Sequence, residues 1–134
     1  MQPTAHNLVE QSYARCLRSA DFLPRFYEHL LSSDPAVPGY FEKTEFPRQY
    51  KLLQHGLGLL ISYAKSSDEE LLARIAARHS ARGIDVPPEM YEMFSDSLLT
   101  TIEEHDPKFD EETENAWRAA LQPGLDFMRE RYAP

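Results

Sequence analysis

Apolar residues recur along this chain in steps of three and four, with no sustained alternation of apolar and polar positions, so the pattern predicts helices nearly throughout. Leu8, Val9, Tyr13, Cys16 and Leu17 trace a first amphipathic helix. Phe22, Phe26 and Leu30, flanked by Leu23, Tyr27 and Leu31, predict a second, with Asp21 as its N-cap. Between Asp34 and Gly39 two prolines and a glycine break the periodicity, which predicts a corner leading to Tyr40 and Phe41. A long third helix is expected to start from a Thr44 cap, to tolerate Pro47 in its first turn, and to bury Phe46, Leu52, Leu53, Leu57, Leu59, Leu60 and Tyr63.

Ser67-Asp68-Glu69-Glu70 has the spacing of a capping box and starts a short helix running beyond His79. Pro87 and Pro88 open the next, through Tyr91, Phe94, Leu98 and Ile102, which stops before Pro107. Asp110 caps the last helix, whose inward face reads Ala116, Trp117, Ala120, Leu121, Leu125 and Met128. Pro123 falls inside it and predicts a kink near residues 119 to 123. The reading is all-α, about six or seven helices, one domain over residues 1–134 without repeat or linker.

One residue on these helices raises a chemical question. His79 closes the stripe Leu71, Ile75, His79, and a buried imidazole requires a hydrogen-bond partner or a metal. Spacing alone favours an ordinary satisfied core histidine over a ligand. His6, His29, His55 and His105 form no ligand set, and no His-Glu-x-x-His, Gly-x-Ser-x-Gly, phosphate-loop or dinucleotide pattern is present.

Composition narrows the classes further. The net charge of −8 and the scatter of basic residues along the sequence argue against a nucleic-acid partner. Cys16 is the only cysteine, so neither an internal disulfide nor a thiolate metal cluster can form. No long apolar run and no signal-like start is present, which gives the expectation of a cytoplasmic protein with no membrane partner.

Several separated pieces then align with one family: Phe26-Tyr27, Tyr40-Phe41, Phe46-Pro47-Arg48-Gln49, the run Arg78-His79-Ser80-Ala81-Arg82-Gly83-Ile84, Pro88-Glu89-Met90-Tyr91, Ser97-Leu98-Leu99, Phe109 and Ala116-Trp117. Over about residues 8 to 132 the chain resembles a bacterial single-domain globin. The resemblance implies a three-over-three helical sandwich around haem b, with His79 as the iron ligand, Phe41 on the porphyrin face and Tyr27 donating to the iron's diatomic ligand. Gln49 and Arg48 compete for the remaining distal place, because neighbours on a helix point about 100° apart. Gln49 shares the stripe of Phe46, Leu53, Leu57 and Leu60, whereas spacing from Phe41 in some bacterial relatives favours Arg48. Leu53, Ile75, Ile84 and Tyr91 are assigned to the pocket lining, and Arg78, Arg82, Lys51 and Arg48 to the haem propionates.

The function implied is reversible binding of oxygen or another diatomic gas, for storage, scavenging or sensing. Two other readings stand beside it. One is nitric oxide dioxygenation or peroxide chemistry at the same iron, dependent on a separate reductase. Tyr91 resembles the tyrosine that buttresses the iron ligand in flavohaemoglobins, but Glu130 does not fall at the offset of their glutamate. The other is a haem-free, globin-like module that binds a partner. Homodimerisation through the last two helices is a further open expectation.

Overall fold

The computed structural model describes residues 4–66, 69–79 and 87–131, apart from the side chains at positions 71, 75 and 77–79. Among the described residues six α-helices follow one another: α1 (Ala5–Leu17), α2 (Phe22–Ser32), α3 (Phe46–Ser66), α4 (Glu69–His79), α5 (Met90–His105) and α6 (Glu111–Glu130). A 3₁₀ turn, Pro38–Phe41, forms the proline corner between α2 and α3. The described residues contain no strand, so the all-α expectation stands. The Ser67–Glu70 capping box begins outside the described residues, as does any continuation of α4 past His79.

The helix ends show which local signals dominate. Asp110 is extended, with φ −147° and ψ −179°, and accepts the Thr113 N–H at 2.8 Å, as an N-cap should. Asp21 does not cap. It is already αR, its side chain makes no capping bond, and α2 is entered by a turn from Phe22 N–H to the Ser19 carbonyl. Thr44 lies one residue too far out, because the Gln49 N–H bonds to the Glu45 carbonyl at 3.0 Å. Pro123 is exposed inside an α6 that stays helical on both sides of it. The carbonyl it frees belongs to Ala119, also exposed, where water can satisfy it.

The leucine run of α3 is divided by helix geometry. Leu53, Leu57, Leu60 and Ile61 are buried, whereas Leu52 is 39% exposed and Leu59 half-buried. A step of one residue turns the side chain by about 100°, so consecutive leucines cannot all face inward.

At the centre, Trp117 of α6 is fully buried and joined to a polar strut. Its indole Nε1 donates to Ser12 Oγ at 2.9 Å, and Ser12 donates to Asp106 Oδ2 at 2.6 Å. Arg15 grips the same carboxylate through Nε at 2.6 Å and a terminal nitrogen at 3.0 Å, and the Lys108 N–H adds a bond at 2.9 Å. This strut ties α1 to α6 and to the corner after α5. Burial alone would raise the Asp106 pKa, but Arg15, Ser12 and the backbone donor outweigh it and hold the carboxyl below its usual range.

Layering follows from the contacts. α6 lies against α3, α1 and α4, while α2 lies against α5. Among the described residues α5 makes no comparable contact with α3 or α4. The region between α3, α4 and α5, where this close contact is missing, is called the gap below; Tyr27 of α2 and Phe41 of the proline corner lie next to Phe46 at the start of α3.

Candidate functional site

Tyr27 follows Phe26 on the inner face of α2 and is 4% exposed. Gln49, in the first turn of α3, donates its amide Nε2 to the Tyr27 oxygen at 2.9 Å. That bond uses the phenol as an acceptor. The O–H itself has no acceptor among the described residues, so one buried donor is left to serve a ligand. Desolvation pushes the Tyr27 pKa up to about 12; the Gln49 bond pulls it back and the neighbouring Tyr50 adds to the rise. Near neutral pH the group is a neutral hydroxyl and keeps its proton.

Aromatic rings surround the Tyr27 ring. Around Tyr27 stand Phe26 at 5.0 Å, Phe46 at 5.5 Å, Phe41 at 5.6 Å and Tyr50 at 5.8 Å between centroids. The three phenylalanines meet it at interplanar angles between 68° and 76°, an edge-to-face arrangement that favours aromatic contact. Phe26 in turn meets Phe94 of α5 at 5.3 Å. The turn Pro38–Phe41 positions Phe41, and the i, i+4 step of α3 places Phe46 and Tyr50 on one side.

The surroundings fit a large flat apolar group. Phe41, Phe46, Tyr50, Met90, Met93 and Phe94 come from elements bordering the gap and are only partly buried by protein. A cluster of incompletely covered aromatic and methionine side chains beside a lone buried hydroxyl is suited to an apolar ligand carrying one polar point.

The expected site residues separate into three groups. Tyr27, Gln49 and Phe41 are brought together, and Leu53 lies one turn beyond Gln49, 9% exposed. Tyr91 is buried at 6% at the start of α5. Arg48 is exposed, so of the two distal alternatives the structure brings Gln49 to Tyr27. His79 is the last residue of α4; its side chain and those of Ile75 and Arg78 lie outside the described residues, as do Arg82 and Ile84 entirely. The described part of α4 buries Leu72 and Ala76, and position 79 stands seven and three residues on from them, at matching helical register. Tyr50 and Phe94 were not among the expected site residues. For Tyr50 the signal was its i+4 spacing from Phe46; for Phe94 no local signal distinguishes a pocket ring from a core ring.

The globin family model matches residues 24–125, and the chain belongs to the globin family. The crystal structure of protein PA3967 from Pseudomonas aeruginosa PAO1, described as structurally highly homologous to a human haemoglobin, matches with a TM-score of 0.95 at 35% identity. That match covers 98% of this chain and 100% of the other. No curated protein matches. The fold is thus the globin fold, and the class is that of haem globins in general. Among the described residues no helix is long and apolar enough to cross a membrane.

Proposed function

We propose that this chain holds haem b in the gap between α3, α4 and α5, with His79 as the iron ligand, and reversibly binds oxygen or a similar diatomic gas. The observation that carries the reading is the Tyr27–Gln49 hydrogen bond, with aromatic rings around the Tyr27 ring. Haem, when bound, supplies a ferrous iron to which a diatomic gas can attach. The protein's part is to set how tightly that gas is kept.

Tyr27 would donate its free O–H to the ligand's outer atom, where partial negative charge gathers, at a net gain of about 1 to 3 kcal/mol. Gln49 donates to the phenol oxygen, so the Tyr27 proton is not given to that amide nitrogen and would be available to a ligand. Phe41, Leu53 and Tyr91, with Ile75 and Ile84, would exclude water and face the porphyrin; Arg78 and Arg82 would take the propionates. Arg48, exposed on α3, has no role at the ligand in this reading. Exclusion of water both strengthens the Tyr27 bond and slows loss of the ferrous state.

The test is direct. Haemin added to purified protein should give a Soret band saturating at one haem per chain, and after reduction in air the visible spectrum should change reversibly as oxygen is removed and restored. Protein that stays colourless with haemin present would remove the proposal.

A further inference from the structure

Among the described helices, α3 differs from the other five in its charge. In a chain of net charge −8, α3 carries Arg48, Lys51, His55 and Lys65 and not one carboxylate across its 21 residues. Each of the other five helices carries at least one acid. The sequence reading that basic residues are scattered misses this, because the acids that outnumber them are placed on other elements.

All four side chains are exposed, and among the described residues none is in a hydrogen bond or ion pair. Elsewhere Arg15, Arg25, Arg118, Arg129 and Arg131 are each paired with a carboxylate. Steps of three, four and ten residues put the three cations Arg48, Lys51 and Lys65, with His55 between them, along one side of the helix over about 25 Å. The 39% exposed Leu52 lies beside this line, and Lys51, Gln54, His55, Gly58, Leu59 and Ser62 form a shallow, open strip of the helix surface along it. Gly58 keeps the strip low, since a Cβ there would meet nothing within 4 Å. Unpaired basic side chains, one exposed leucine and an open surface together suit a weak, charge-steered protein contact.

We infer that this face of α3 docks an acidic one-electron carrier protein. The inference rests on the haem reading, because it is an iron centre that calls for a reductant. The same helix carries Gln49 and Tyr50 on its opposite side, so a carrier seated on the cations would stand one helix away from the pocket. In the step proposed, the reduced carrier gives up one electron and ferric iron is returned to ferrous; no bond is made or broken. A second copy of this chain is the poorer occupant, because it brings no reductant for the iron.

Binding of a plant-type [2Fe–2S] ferredoxin, used as the acidic probe, can be followed by NMR shift titration of the haemin-loaded protein. Affinity should fall about tenfold or more between roughly 20 and 200 mM salt, as steered contacts do. The pair Lys51→Glu/Lys65→Glu should weaken binding about tenfold at the lower salt. The control pair Arg18→Glu/Arg74→Glu makes the same charge change on α4 and the corner after α1, and should cost less than about threefold. Equal losses from both pairs, or salt-independent binding, would overturn the docking face. Duplex DNA bound more tightly than ferredoxin under the same conditions would overturn it in favour of a nucleic acid. Failure to take up haemin shows separately in the Soret region, and would overturn the haem reading and the carrier with it.

Discussion

At the scale of single residues, the Tyr27 hydroxyl has one proton to give, and the Gln49 amide nitrogen does not take it. Replacing Tyr27 by Phe removes the donor and leaves the ring's contacts in place. Oxygen dissociation measured by stopped flow should then accelerate about 10- to 100-fold, the equivalent of roughly 1.4 to 2.7 kcal/mol. Gln49→Leu removes only the group that orients the hydroxyl and should accelerate dissociation by about two- to fivefold. An equal or larger effect from Gln49 would mean that the amide, not the phenol, is the donor. Asp106 sets stability rather than binding. Asp106→Ala strips Arg15, Ser12 and the Lys108 N–H of their shared acceptor, at a cost of about 3 kcal/mol in urea unfolding. Because its folded pKa lies below its unfolded value, its contribution is complete above about pH 4 and is lost as pH falls from there through the folded value. Asp106→Asn should therefore flatten the acid limb of the stability profile.

At the scale of elements, α3 and α6 meet so closely that a side chain at Gly124 would have to displace the tip of Leu60. A Cβ there would collide with Leu60 Cδ2 and touch Leu72 Cδ2 at 3.6 Å. Gly124→Ala should gain about 1 kcal/mol of helix propensity and lose more to the displaced Leu60, for a net loss of about 1 to 2 kcal/mol in thermal or urea unfolding. Helix identity was legible because each element carries a stripe repeating at 3.6 residues, and Asp110 was legible because an extended aspartate before a helix has a capping bond within reach. Helix entry at Asp21 and Thr44 was not, since the chain's path from the preceding turn decides backbone angles that a side chain only exploits. Leu52 was misread for a related reason. A run of leucines signals burial, but only register tells which of them lie outside.

At the scale of the whole molecule, the pocket is a consequence of what the helices leave unfilled. α3 packs chiefly on α6 and α5 chiefly on α2, and Phe41, Phe46, Tyr50 and Phe94 remain partly uncovered. Tyr27, Gln49 and Phe41 were legible from the family resemblance and come together across three elements; sequence spacing alone could not join positions 22 residues apart. The enclosing roles of Tyr50 and Phe94 emerge only from tertiary placement. What remains to be tested is the attachment of iron to α4. His79→Gly should be prepared with haemin and its reduced and oxidised absorption compared with the parent, with imidazole withheld and then added. The account predicts an altered Soret and visible spectrum in the variant, returning toward the parent's as imidazole enters the vacated place. A variant spectrum identical to the parent's without imidazole, in both oxidation states, would contradict it.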